Sequence, residues 1–249
     1  MHRTTWMMVS LALAALVAAG CGAAPKGGAD TPAQAAGRMV AASRGALAPV
    51  YAPLAEQIVR DFGLAEADGV GIDVGSGPGT LIIELCKRTK MHWINADINP
   101  EVFPSFFALA DKAGMGGRTS AVRADVKDLP FRDGYADVVV SRGSFPFWGD
   151  TEAKKQGFAE IYRVLAPGGV AYIGRGFSRN LPVETARAIR ARQGKKMEYD
   201  RREAADELRG ILTDLGIRDF RVDAPDPPGA DGLNYGVWVE FHKPEPGGE

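Results

Sequence analysis

The chain has 249 residues, 45% of them hydrophobic and 24% charged, with 30 Lys and Arg set against 31 Asp and Glu for a net charge of −1. That is the composition of an ordinary soluble globular protein with one sizeable α/β core and no room for two. The absence of a basic excess argues against a nucleic-acid substrate, whose phosphates demand cationic neutralisation. Two cysteines (Cys21, Cys86) and three histidines (His2, His92, His242) in no metal-ligand spacing give a zinc site no support.

Residues 1–20 read as a secretory signal: Arg3 near the start, an apolar run from Met7 to Ala19, and small residues leading into Ala18-Ala19-Gly20-Cys21. The run is short for a bilayer span. Cysteine directly after Ala-Ala-Gly resembles the bacterial lipobox, which implies cleavage before Cys21 and a lipid anchor there, hence a cell-envelope location. An uncleaved apolar helix in a cytoplasmic protein is the alternative. Residues 21–37, mostly Gly, Ala and Pro, read as a flexible tether, leaving 38–244 as the folded domain.

Within that domain a helical stripe runs over 39–62 through Leu47, Val50, Leu54, Ile58 and Phe62, interrupted near Pro49 and Pro53. Val70-Gly71-Ile72-Asp73-Val74 reads as a strand entering Gly75-Ser76-Gly77-Pro78-Gly79, with a helix over 80–88 behind it. A second strand over 93–96 ends at Asp97, and a helix follows over 100–113. Strands are expected over 119–124 and 136–141, then a helix over 158–165, a turn at Pro167-Gly168-Gly169 and a strand over 170–174. Helices over 184–192 and 202–215 and a closing strand pair near 220–222 and 235–242 complete the pattern. Strands alternating with helices predict a Rossmann-like, doubly wound α/β fold, a mostly parallel sheet of about seven strands with an antiparallel edge hairpin. Cys86, among apolar neighbours, is expected to be buried as a small hydrophobe.

In such a sheet a ligand sits beyond the carboxyl ends of the strands, where Gly75, Gly77 and Gly79 permit a tight turn and close approach to backbone. The dinucleotide fingerprint G-x-G-x-x-G needs glycine where this chain has Thr80, which disfavours a nicotinamide-dependent oxidoreductase. Asp73-x-Gly75-x-Gly77-x-Gly79 instead resembles the first motif of the class I S-adenosylmethionine-dependent methyltransferases. In order after it stand Asp97 at the end of the second strand, Ala124-Asp125-Val126-x-x-Leu129-Pro130-Phe131, the fourth strand ending at Ser141, and Arg163-Val164-Leu165-x-Pro167-Gly168-Gly169. The resemblance spans nearly the whole domain. It lies nearest the broad small-molecule branch (methyltransferase type 11-like) that includes quinone-biosynthesis enzymes.

The resemblance implies S-adenosyl-L-methionine as cofactor. It implies that Asp73, with Gly75, Ser76, Gly77 and Gly79, holds the aminoacyl end, that Asp97 with Ile98 beside it binds the ribose diol, and that Asp125 and the Val126 amide meet adenine. Ser141 ends the strand beside the methyl group. A carboxylate suits a diol because it accepts two hydrogen bonds.

On the acceptor side, Phe145, Phe147 and Trp148 either line an apolar pocket or pack a lid, and Tyr51 either closes over the cofactor or belongs to the core. The basic run Arg187, Arg190, Arg192, Lys195, Lys196, Arg201 and Arg202 is expected to be a solvated face. No catalytic base is evident. The expected activity is methyl transfer to a small or apolar acceptor, not nucleic acid, and the competing reading is a non-catalytic envelope lipoprotein that reuses the fold.

Overall fold

A seven-stranded sheet in the order β3-β2-β1-β4-β5-β7-β6 organises the molecule; the computed structural model describes residues 30–193 and 199–247. The expected signal segment and Cys21 lie outside these residues. β1 (Val70–Val74), β2 (His92–Asp97), β3 (Thr119–Arg123), β4 (Ala136–Arg142) and β5 (Leu165–Gly176) are parallel. β7 (Gly236–His242) runs antiparallel between β5 and β6 (Phe220–Asp223). The antiparallel edge is as expected, with a long connection and not a tight turn between β6 and β7.

Helices cover both faces, as parallel strands buried on both sides require. On one face α5 (Thr151–Val164) and α7 (Arg201–Asp214) bury Phe158, Ile161, Leu208, Ile211 and Leu212 against Ile72, Val139 and Val239. On the other, α2 (Ala48–Asp61), α3 (Thr80–Cys86) and α4 (Phe103–Lys112) bury Leu54, Ile58, Leu81, Leu85 and Phe106 against Trp93, Val138 and Val140. Cys86 is buried there, as its neighbours foretold. α6 (Val183–Gln193) packs Ala186 and Ile189 with Val50, Phe177 and Tyr235 in a smaller cluster.

Two indoles explain glycines inside strands. A Cβ on Gly71 would lie 2.5 Å from the fully buried Trp93 ring one strand away, and a Cβ on Gly174 would overlap Trp238 on β7. Glycine at these positions makes room for the largest side chain beside it.

Four expectations are corrected. The single interrupted helix over 39–62 is two, α1 (Pro32–Arg44) and α2, broken at Gly45, and Pro49 falls in the first turn of α2, where its missing N–H costs nothing. The expected tether to residue 37 overlaps α1, whose start is a capping box: Thr31 Oγ1 accepts from Gln34 N, and Gln34 Oε1 accepts from Thr31 N. The turn at Pro167-Gly168-Gly169 is an irregularity inside β5, where register shifts against β4 between Ala136 and Val138. α5 also begins seven residues earlier than the apolar spacing indicates, at Thr151, because Asp150 caps it through the Ala153 amide.

Candidate active site

The carboxyl ends of β1, β2 and β4 meet at the glycine turn, and hydrogen bonds fix its shape. Gly75 N donates to Ala96 O (2.7 Å), Gly77 N to Asp97 Oδ2 (2.7 Å), and Asn95 Nδ2 to Gly77 O (2.9 Å). Gly75, Gly77 and Gly79 all have φ between 57° and 72°, the left-handed region where a Cβ is strained. Space forbids a side chain as well: a Cβ on Gly75 would overlap Ser144, and one on Gly79 would overlap Phe106.

Two carboxylates flank this turn. Asp73 is buried at the end of β1. Its Oδ2 accepts from Ser76 Oγ (2.7 Å), while its Oδ1 is buried with no hydrogen-bond partner. Burial pushes its pKa up to about 7; the Ser76 bond and the Arg142 charge oppose that rise, and Asp97 adds to it. Asp97 is 4% exposed, with one oxygen on Gly77 N and the other on Asn99 N (2.9 Å). Burial also raises its pKa, against these two amide bonds. Each Asp97 oxygen keeps a lone pair for a further donor, as a diol requires. A buried, unpartnered carboxylate oxygen is costly without a ligand, so Asp73 Oδ1 fits a cofactor that brings an ammonium group.

The remaining candidates divide. Ile98, directly after Asp97, is 44% exposed, so its apolar side chain is open to a ligand beside that carboxylate. Asp125 opens the turn after β3, with Oδ1 accepting from Lys127 N (3.0 Å); Ala124 N donates to Asp97 O (3.0 Å) and so ties this turn to Asp97. The Val126 side chain is core, leaving only its backbone for a ligand. Ser141 is buried with its hydroxyl engaged on Val74 O (2.7 Å) and on Ser144 Oγ (2.5 Å), so it splices β4 to β1. Phe145 and Trp148, left open between pocket and packing, are packing: both are buried, Trp148 sits edge-on to Phe145 and Phe158, and its Nε1 donates to Ser144 Oγ (3.2 Å). Phe147 is half-buried.

Several residues that sequence reasoning passed over belong here. α1 roofs the turn: Met39 Cε lies 2.8 Å from where a Gly77 Cβ would stand, and Asn99 Nδ2 donates to Pro32 O (2.9 Å), which pins the helix above the end of β2. Arg142, last residue of β4, lies 5.5 Å from the Tyr51 ring centroid, and both act electrostatically on Asp73 or are acted on by it. Tyr51 is thus at the cofactor end of the site, with its hydroxyl pKa raised chiefly by burial. Arg163, noted only as part of a motif, holds the loop after Asp125: it donates to Phe131 O (2.8 Å) and Leu129 O (3.0 Å), while its partner Glu160 accepts from Leu129 N (2.9 Å).

A family model described as a methyltransferase domain matches residues 72–169, the span that holds both carboxylates, the glycine turn and the Asp125 loop. A crystallised protein from Methanococcus maripaludis, described as an S-adenosyl-L-methionine-dependent methyltransferase, superposes with a TM-score of 0.75 at 28% identity, over 90% of this chain and 99% of that one. The malonyl-[acyl-carrier protein] O-methyltransferase of Geobacter sulfurreducens is 31% identical over 184 residues, 69% of this chain and 66% of the relative. The chloroplast 2-methyl-6-phytyl-1,4-hydroquinone methyltransferase of Arabidopsis thaliana is 35% identical over 108 residues, 43% of this chain. The chain spans 30%, 60% and 39% of the length of three curated relatives it matches. The family match and the two-carboxylate cradle fall on the same residues: residues 72–169 match a methyltransferase domain, and S-adenosylmethionine is its cofactor.

Proposed function

We propose that this protein methylates a small-molecule acceptor. The observation that carries the reading is the pair of buried carboxylates, Asp73 and Asp97, on either side of a turn that excludes side chains. S-adenosylmethionine supplies a methyl group on a sulfonium, open to in-line attack. The chain's residues have positioning to do: Asp73 takes the ammonium, Asp97 the ribose hydroxyls, and Asp125 with the Val126 amide the adenine edge. Ile98 covers the adenine's apolar face. Ser141 and Ser144, bonded to Val74 O, fix the end of β4 against that of β1, so the acceptor loop keeps its distance from the cofactor. Alignment of this kind is the main source of rate in a displacement that needs no covalent intermediate.

Calorimetry with S-adenosylmethionine and S-adenosylhomocysteine tests it. Saturable binding that falls at least about tenfold in Asp97→Ala is expected, the equivalent of roughly 1.4 kcal/mol. A folded protein that binds neither ligand refutes the reading.

We also propose that the mature protein is anchored to the cell envelope through lipid on Cys21. The support is the sequence around the cysteine and the several acyl chains a bacterial lipoprotein carries, which hold far more firmly than one. No helix among the described residues is long and apolar enough to cross a membrane. Fractionation of wild type and Cys21→Ser decides: membrane association lost in the variant supports the anchor, and two soluble proteins that keep residues 1–20 place it in the cytoplasm.

A further inference from the structure

Four guanidinium groups gather near the carboxyl ends of β4 and β5. Arg142 ends β4, Arg175 lies beside it near the end of β5, Arg190 reaches over from α6, and Arg201 opens α7. Two tyrosines interleave them. The Arg142 guanidinium lies 5.5 Å from the Tyr51 ring, and that of Arg175 lies 5.0 Å from the Tyr199 ring.

Arg190 is the informative member. Its Nε donates to Asn234 O (2.8 Å), its Nη1 donates to Gln193 Oε1 (2.8 Å), and its guanidinium stacks 4.3 Å above Phe177. Its Nη2 is buried with no hydrogen-bond partner. Among the described residues, no carboxylate forms an ion pair with Arg142, Arg190 or Arg201. Burial holds the Arg190 pKa down at about 10, helped by repulsion from Arg142, Arg175 and Arg201 and opposed by Tyr199. Arg175 is likewise lowered by burial and then by Arg142.

Crowding Arg142, Arg190 and Arg201 together with no ion pair among the described residues is unfavourable unless something negative joins them. A guanidinium with an idle N–H presents the fork that carboxylates and phosphates match. The aromatic faces that hold these arginines orient them without neutralising them. The cluster also touches the cofactor end, since Arg142 acts on Asp73. The basic run of α6 and α7 therefore divides: Arg187, Arg192 and Arg202 are exposed as expected, whereas Arg190 and Arg201 turn inward.

We propose that the methyl acceptor is an oxyanion, a carboxylate or phosphate compound, whose charged group is held by Arg190, Arg175 and Arg201. This rests on the methyltransferase reading and names the substrate class of that site. It also revises the expected apolar acceptor, because Phe145 and Trp148 are spent on packing.

The test uses the full chain saturated with S-adenosylhomocysteine, so that the cofactor's own carboxylate place is filled. Benzoate and phenyl phosphate are titrated calorimetrically against the neutral isosteres benzamide and benzyl alcohol. At least one anion is expected to bind about tenfold or more tighter than its neutral counterpart, and the better one identifies carboxylate or phosphate. Arg190→Gln and Arg201→Gln are each expected to erase that preference while S-adenosylhomocysteine affinity stays within about threefold. Arg201→Gln keeps the test valid if Arg190→Gln fails to fold. Equal binding of anions and neutral probes, no anion binding, or a preference retained in the folded variants overturns the proposal. A tenfold loss of S-adenosylhomocysteine affinity in Arg190→Gln also overturns it, by assigning the cluster to the cofactor. Failure of wild type to bind S-adenosylhomocysteine at all is the separate result that removes the methyltransferase reading beneath it.

Discussion

Asp73→Asn separates the cost of a binding site from the function it serves. The Asp73 carboxyl is buried, and its pKa rises from 3.8 to about 7, chiefly through burial. A raised carboxylate favours the protonated folded form, so its stabilising contribution is complete below pH 3.8 and is lost as pH climbs through about 7. At 1.36 kcal/mol per pH unit the whole span amounts to about 4 kcal/mol. Over a usable window from pH 5 to pH 8 the loss is about 2.5 kcal/mol. Asparagine keeps the shape, still accepts from Ser76, and carries no charge to desolvate. Urea unfolding of ligand-free wild type and Asp73→Asn, at intervals across that window, isolates the effect from other titrating groups. The stability of the variant relative to wild type is expected to rise by about 2.5 kcal/mol between the two ends. Parallel stability curves would refute the reasoning, since Asp73 would then be as well solvated folded as unfolded.

Binding reads the same ionisation from the other side. If only the carboxylate form of Asp73 accepts the cofactor's ammonium, S-adenosylhomocysteine affinity is about tenfold weaker at pH 6 than at pH 8, with proton release on binding below neutrality, and a pH-independent affinity in calorimetry contradicts this. Gly75→Ala forces a Cβ onto Ser144 at φ 69°, and it is expected to cost more than about 2 kcal/mol and abolish cofactor binding; thermal unfolding and calorimetry check both. Gly71→Ala drives a methyl group into Trp93 near the start of β1, away from the glycine turn, and is expected to cost about 1–3 kcal/mol while residual folded protein binds normally. Arg163→Ala takes the side-chain donor from Phe131 O and leaves Leu129 O with the Phe131 amide alone, so amide exchange over 125–131 is expected to quicken and cofactor affinity to fall several-fold; unchanged exchange there contradicts the clamp.

The central part of the fold was legible because period and composition agree there. β1 and β4 are continuous apolar runs, as parallel strands covered on both faces must be, and Asp73 and Asp97 stand at strand ends where polar side chains face the ligand edge. The misreadings have local causes. The composition of residues 21–37 averaged a loose stretch with a helix start, although Thr31, Pro32 and Gln34 already spelled a capping box, so α1 and its roof over Gly77 were missed. Asn95 was invisible because a single polar residue inside an apolar strand has no pattern; only the fold shows its amide holding Gly77 O. The arginines were misread for a related reason. Spacing along α6 and α7 assigns each residue to a helix face, but whether that face meets solvent or the ends of β4 and β5 depends on packing between segments distant in sequence.

The two ends of the site carry opposite strain. On the cofactor side Asp73 and Asp97 repel each other, and an Asp73 oxygen lies buried without a donor. On the acceptor side Arg142, Arg175 and Arg201 crowd Arg190, whose Nη2 lies buried without an acceptor. Arg142, between them, relieves Asp73 and burdens Arg190, so the halves are electrostatically joined. In a low dielectric neither imbalance is screened, and each is relieved by a ligand of the opposite sign: an ammonium at Asp73, an oxyanion at Arg190. Filling one end leaves the other strained, so neither ligand alone brings the protein to its most stable form. Thermal unfolding is therefore expected to rise with S-adenosylhomocysteine and to rise again when the preferred anion is added. In Arg190→Gln the first step stays and the second vanishes. A second step of undiminished size in that variant places the anion elsewhere on the molecule.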